Sequence, residues 1–334
     1  MMTRREVVSL IILVLVIAYG AYQYVTREFS DTHSRYLLDT IVEISGSSNS
    51  KSVTQHILAM FDYVAEFEKK FDEYDPNSMI ARINSSSEEV FPMDPDLYEM
   101  LVIADSLYQL TDGAFDITIK PVWDLWDFNA EQPTPPDSML IKETLLKVGF
   151  DKIRYSKDQL IKPAGMQITL GAIAKGHIFD KVSKRMQELG LKRGFINSRS
   201  SICFFGDKMQ PIVYITHPRK VDDTIASFRL NDMCVGTSGD YQQYYEVGEH
   251  RYHHIINAHT GYPMEDVFSV TVLHPSAAWA DGLSTALFLM PPDKALEYVT
   301  TQSQANCVIY YLQEDSIVSL KSAGMKELDF TENI

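Results

Sequence analysis

The chain predicts an α+β fold, on three observations. Strand-like and helix-like segments mix without the strict alternation of a doubly wound sheet, apolar residues recur at helical spacing in several stretches, and one uncharged stretch stands apart at the N-terminus. At 334 residues, 45% hydrophobic and 22% charged, the chain can bury a large core. Its Pro and Gly residues are scattered and no repeat is visible, so a single body behind the N-terminal stretch is the simplest organisation.

Arg4 and Arg5 precede Val7 to Val25, which carries no charge and is long enough to cross a hydrocarbon core as a helix. The Arg pair should stay cytoplasmic, sending the rest of the chain outward. A cleaved signal peptide is the competing reading, but Tyr19, Tyr22, Gln23 and Tyr24 fit a small-residue cleavage site poorly. The expected division is therefore residues 1–30 as cytoplasmic tip and anchor and 31–334 as the body.

Residues 26–35 read as a polar linker, followed by a strand from Thr40 to Ile44 ending at Gly46. Ile57, Phe61, Val64, Phe67 and Phe71 mark a helix from His56 to Phe71, and a second is expected from Leu97 to Leu110. Met166 to Leu170 reads as a strand, Gly171 to Gly176 as a turn, and Ile178, Val182, Met186 and Leu189 as the stripe of a helix stopped by Gly190. Further strands are expected from Phe195, at Ile212 to Thr216, Thr224 to Leu230, Tyr252 to Asn257 and Phe268 to Leu273, with a helix from Trp279 to Met290.

A net charge of −15 disfavours nucleic acid, whose phosphates are held by clustered Lys and Arg. Cys203, Cys234 and Cys307 show no metal-ligand spacing, and neither a zinc site nor a disulfide framework is expected of them. Gly171 to Gly176 is no Walker loop, because Lys175 precedes the second Gly and His177 follows it; it is either a tight connection or a turn that approaches a ligand. Asp281 and Thr285 lie four apart on one helix face, either as a helix-start Asp with a solvated Thr or as hard-oxygen donors suited to Mg²⁺. His253 and His254 point to opposite faces of a strand, so at most one shares a site with Asp281. Thr237 to Tyr241 and Thr111 to Asp116 read as polar turns, the second leading to Trp123, Trp126 and Phe128.

In order along the chain, six phrases resemble the ApbE-type FAD:protein FMN transferase family, from about Leu38 to about Met290. They are Phe71 to Ser78 with Arg82-Ile-Asn84, Thr111 to Asp116, Leu170 to Gly176 with Asp180, Val235 to Tyr241, His254 to Asn257 with Thr260-Gly261, and Ala280-Asp281 with Thr285. The resemblance implies a T-fold-like body with a mixed, largely antiparallel sheet and packed helices. It implies an FAD site lined by Leu38, Tyr74, Ala114, Phe115, Asp116, Thr169, Lys175 and Ile255. Asp281, Thr285 and the carbonyl of Ala172 would hold Mg²⁺, assisted at Ser284, with His254 and Asp281 as the catalytic pair.

The implied reaction moves FMN from FAD to a Thr or Ser of a target flavoprotein bearing a D-G-x-S/T-G-A-T-like motif, and releases AMP. A bacterial inner membrane with the body on its outer side is the expected location. Hydrolysis of FAD to FMN and AMP, or FAD binding without chemistry, are the alternatives. The chain departs from the family where Arg199-Ser200-Ser201 replaces a Gly-Gly-Asp phrase, Thr169 an Asp, and Asn257-Ala258 an Asp-Pro.

Overall fold

The computed structural model describes residues 3–206, 210–220, 222–230, 232–302 and 304–334. The first two residues of the expected cytoplasmic tip lie outside that range. Arg4–Thr26 is an apolar helix with mean hydropathy 2.0 and no buried residue, capped by Thr3 and Glu6. Its length and composition suit a membrane anchor or a signal sequence.

The body is built on an eight-stranded sheet in the order Phe29–Leu37, Thr40–Ser48, Arg193–Asn197, Ser201–Phe205, Cys234–Gly239, Val267–His274, Asn306–Gln313 and Ser316–Lys321. Every neighbouring pair is antiparallel. Successive side chains of the central strands enter different cores, as the pleat demands. Cys234, Val272 and Ile309 join the helical core, while Val235, Leu273 and Val308 join a core beneath a three-stranded sheet that contains Ile212–Thr216 and Thr224–Arg229. The helices Val53–Phe71, Pro95–Leu110, Ala174–Glu188 and Ala277–Phe288 fill the first core. Gly190, at φ +83°, ends the third of these as expected.

Several expectations are corrected. The supposed linker 26–35 holds most of the strand Phe29–Leu37, whose residues are all partly or fully exposed; an edge strand with no buried face has no apolar alternation to announce it. The next strand continues through Gly46 to Ser48. Met166 to Leu170 belongs to no sheet; the Asn84 side chain takes the place of a neighbouring strand, accepting from Ile168 N (2.9 Å) and donating to Ile168 O (2.8 Å). The strand read over Tyr252 to Asn257 ends at His253. Thr237 to Gly239 is strand rather than turn, paired with Thr271 to Ser269. Its small residues reflect a helix packed against it, since a Cβ on Gly236 would lie 2.5 Å from the Ala280 carbonyl.

The cysteine expectation is also overturned. Cys203 and Cys234 form a disulfide across adjacent antiparallel strands. They are 31 residues apart, so only the strand register reveals the pairing. Their sulfurs lie near the Asp180 carboxylate, but the disulfide and the capping role of Asp180 leave no metal ligand set there. Cys307 is free and buried.

Candidate active site

The helix Ala277–Phe288 is held at its start by an acid from another helix. Asp180 accepts from the Ser276 hydroxyl (2.6 Å) and from the N–H groups of Ala277 (2.7 Å) and Ala278 (3.1 Å), satisfying donors that a helix start leaves without partners. Gly176 lets the two helices meet, because a Cβ there would lie 2.2 Å from the Ala277 carbonyl. The result is that Asp281, 8% exposed, sits between the start of one helix and the central sheet.

Burial raises the Asp281 carboxyl to about 7; Lys175, the Ser201 hydroxyl and the Gly176 N–H oppose that rise, and Asp180 adds to it. One turn on, the Ser238 hydroxyl bridges those of Ser284 (2.8 Å) and Thr285 (3.0 Å), and the Ser284 hydroxyl donates to the Asp281 carbonyl (2.8 Å). The Gly176 N–H turns to Asp281, and among the described residues no hydrogen bond occupies the Ala172 carbonyl. A buried carboxylate, a hydroxyl and a free carbonyl are hard oxygen donors, and they fit Mg²⁺.

Lys175 donates to the Ser200 hydroxyl (3.2 Å) and acts electrostatically on both Asp281 and His254. The strand ends at His253, so the two histidines are told apart by their hydrogen bonds and not by opposite strand faces. His253 is buried, with Nε2 donating to the Met264 carbonyl (2.7 Å) and Nδ1 accepting from Ile255 N (3.2 Å), so both ring nitrogens are engaged. His254 has one nitrogen engaged: Nδ1 faces the Gln243 carbonyl (3.2 Å), which can only accept, so Nδ1 carries the proton and Nε2 keeps its lone pair. Burial, and then the neighbouring His253, push His254 down to about 4, which keeps the ring neutral.

The expected FAD-lining residues fall into groups. Leu38, at φ +54°, forms with Asp39 the two-residue tip of the first hairpin, and its N–H binds the Glu68 carboxylate. Asp39 acts on Tyr74, whose exposed ring lies 5.1 Å from Lys120 Nζ. Glu73 pairs with Lys120 (3.7 Å) and its charged form is favoured by the nearby Thr169 side chain, so hairpin tip, Tyr74 and Thr169 make one neighbourhood. Ala114 accepts from Ala258 N (3.0 Å), which brings Ala114 and Phe115 to the loop that follows Ile255.

Asp116 behaves differently, because its carboxylate accepts from Thr118 N (2.7 Å), the Thr118 hydroxyl (2.7 Å) and Phe150 N (2.9 Å). It braces the loop from within. Sequence reasoning assigned no role to Ser201, Ser238, Glu73 or Lys120; Glu73 and Ser238 lie inside quoted phrases, but the contacts of all four follow from strand register and helix packing.

Fold and donors together define an antiparallel α+β protein with an oxygen-donor site beside a lysine and a neutral histidine. The ApbE family model matches residues 38–309, and the chain belongs to that family. It is 30% identical to the Haemophilus influenzae FAD:protein FMN transferase over 323 residues, covering 90% of this chain and 89% of the relative. The Escherichia coli K12 protein of the same name is 29% identical over 248 residues, 70% of each chain. The crystal structure of the Thermotoga maritima ApbE protein superposes with a TM-score of 0.83 at 29% identity, over 90% of this chain and 99% of the other.

Proposed function

We propose that this chain is a FAD:protein FMN transferase that moves FMN from FAD to a Thr or Ser hydroxyl of a target flavoprotein and releases AMP. The observation that carries the reading is the cluster of oxygen donors around buried Asp281, in a chain aligned over nine-tenths of its length with a transferase of that name. In this reading His254 Nε2 takes the acceptor's proton while the acceptor oxygen bonds to the FMN-side phosphorus. The P–O bond to AMP breaks and AMP leaves with the electron pair. Lys175 draws the diphosphate towards the acid.

Asp281, Thr285 and the Ala172 carbonyl would hold Mg²⁺, with Ser284 fixing the turn between the two side chains. The ion supplies charge neutralisation to the diphosphate. Leu38, Tyr74, Ala114, Phe115, Thr169 and Ile255 would line the flavin and nucleotide, and Asp116 would shape that wall from inside. Residues 1–30 would anchor the body, residues 31–334, on the outer face of a bacterial inner membrane, where exported targets carrying the D-G-x-S/T-G-A-T-like motif would meet it.

The test is AMP release from FAD by the full chain with target present, followed against Mg²⁺ concentration. Wild type should require the ion, and Asp281→Ala should lose the dependence together with turnover. Unchanged turnover in that variant contradicts the metal assignment.

A further inference from the structure

We infer that Arg199 binds the diphosphate of the nucleotide substrate and sets the preference for FAD over flavins that lack it. The inference rests on the flavin-transferase reading and deepens it. Arg199 belongs to the turn that joins the paired strands Arg193–Asn197 and Ser201–Phe205.

The loop around Arg199 is tightly fixed. Its backbone is left-handed, at φ +67°, which is uncommon for a long side chain. The conformation is held by Arg199 N donating to Asn197 Oδ1 (2.9 Å), Ser200 N to the Ser198 carbonyl (2.8 Å) and Ser198 N to the Ser201 carbonyl (2.9 Å). Thr237 N ties the loop to the sheet through the Ser200 carbonyl (2.8 Å). The arginine therefore projects from a rigid mount.

Its neighbours belong to the candidate site. The Ser200 hydroxyl takes the Lys175 ammonium, and the Ser201 hydroxyl lies close enough to Asp281 to favour its charged form. Arg199 is exposed, and among the described residues no carboxylate pairs with it. Arg35, Arg193, Arg219 and Arg251 hold acids, whereas Arg199, like Arg82 and Arg154, holds none, so its guanidinium is available to an anion. A planar guanidinium with free N–H groups, on the residue before the serine that holds Lys175, suits a bidentate diphosphate contact.

The test measures dissociation constants for FAD and riboflavin with the full chain in detergent, as wild type, Arg199→Met and Arg199→Lys. All three place a long side chain on the same left-handed backbone, so the comparison isolates charge. Arg199→Met should weaken FAD about tenfold or more while riboflavin stays within about twofold, and Arg199→Lys should recover part of the loss. Unchanged FAD affinity in Arg199→Met, or equal weakening of both ligands, overturns the inference. A wild type that binds riboflavin and FAD equally overturns it too, whereas a wild type that binds neither brings down the transferase reading itself.

Discussion

At the scale of single residues, the account turns on which groups remain free. His254 has one nitrogen committed to Gln243 and one open, while its neighbour His253 has both engaged. His254→Ala should cut transfer by about 10²- to 10⁴-fold with FAD affinity unchanged, read by single-turnover kinetics and flavin titration. Because burial pushes His254 down to about 4, its lone pair is lost only as pH falls through that value. The acid limb of the rate assigned to His254 should accordingly lie near pH 4 rather than near 6.5, which a pH profile checks against the same profile for His254→Ala. That Asp281 and Thr285 share a helix face was legible from their spacing, while the ion they would hold belongs to the proposal. Asp116 shows the limit of a motif, since the phrase locates the carboxylate but not the three donors that occupy it.

Among elements, the helix Ala277–Phe288 decides the geometry, and it is positioned by residues far away in sequence. Removing the cap with Asp180→Ala should destabilise the body by about 1–2 kcal/mol, measured by denaturant unfolding. Gly236→Ala places a methyl against the Ala280 backbone and should cost about 1–3 kcal/mol and lower turnover as Asp281 shifts. Helices were readable because their apolar stripes face one core, as in Val53–Phe71 and Pro95–Leu110. Strands were less so. Phe29–Leu37 is an edge with no buried face, and Cys234–Gly239 uses small residues for close packing that resemble turn chemistry.

For the whole molecule, the Cys203–Cys234 bond staples two central strands that carry Ser201 and Gly236 to Asp281. Disulfides persist in oxidising compartments, so the pairing fits the outward-facing location proposed above. Replacing both cysteines by serine should cost about 2–4 kcal/mol, and a reductant should lower the wild-type Tm without affecting the double variant. No spacing rule announced this bond, because it exists only once the two strands are in register.

The most direct measurement is the intact mass of an acceptor domain bearing the expected motif, after incubation with the full chain, FAD and Mg²⁺. The account predicts that the acceptor gains one FMN less one water, with an equal amount of AMP released, and that neither appears with His254→Ala on the same timescale. Free FMN and AMP with an unmodified acceptor, or FAD recovered intact, would contradict it.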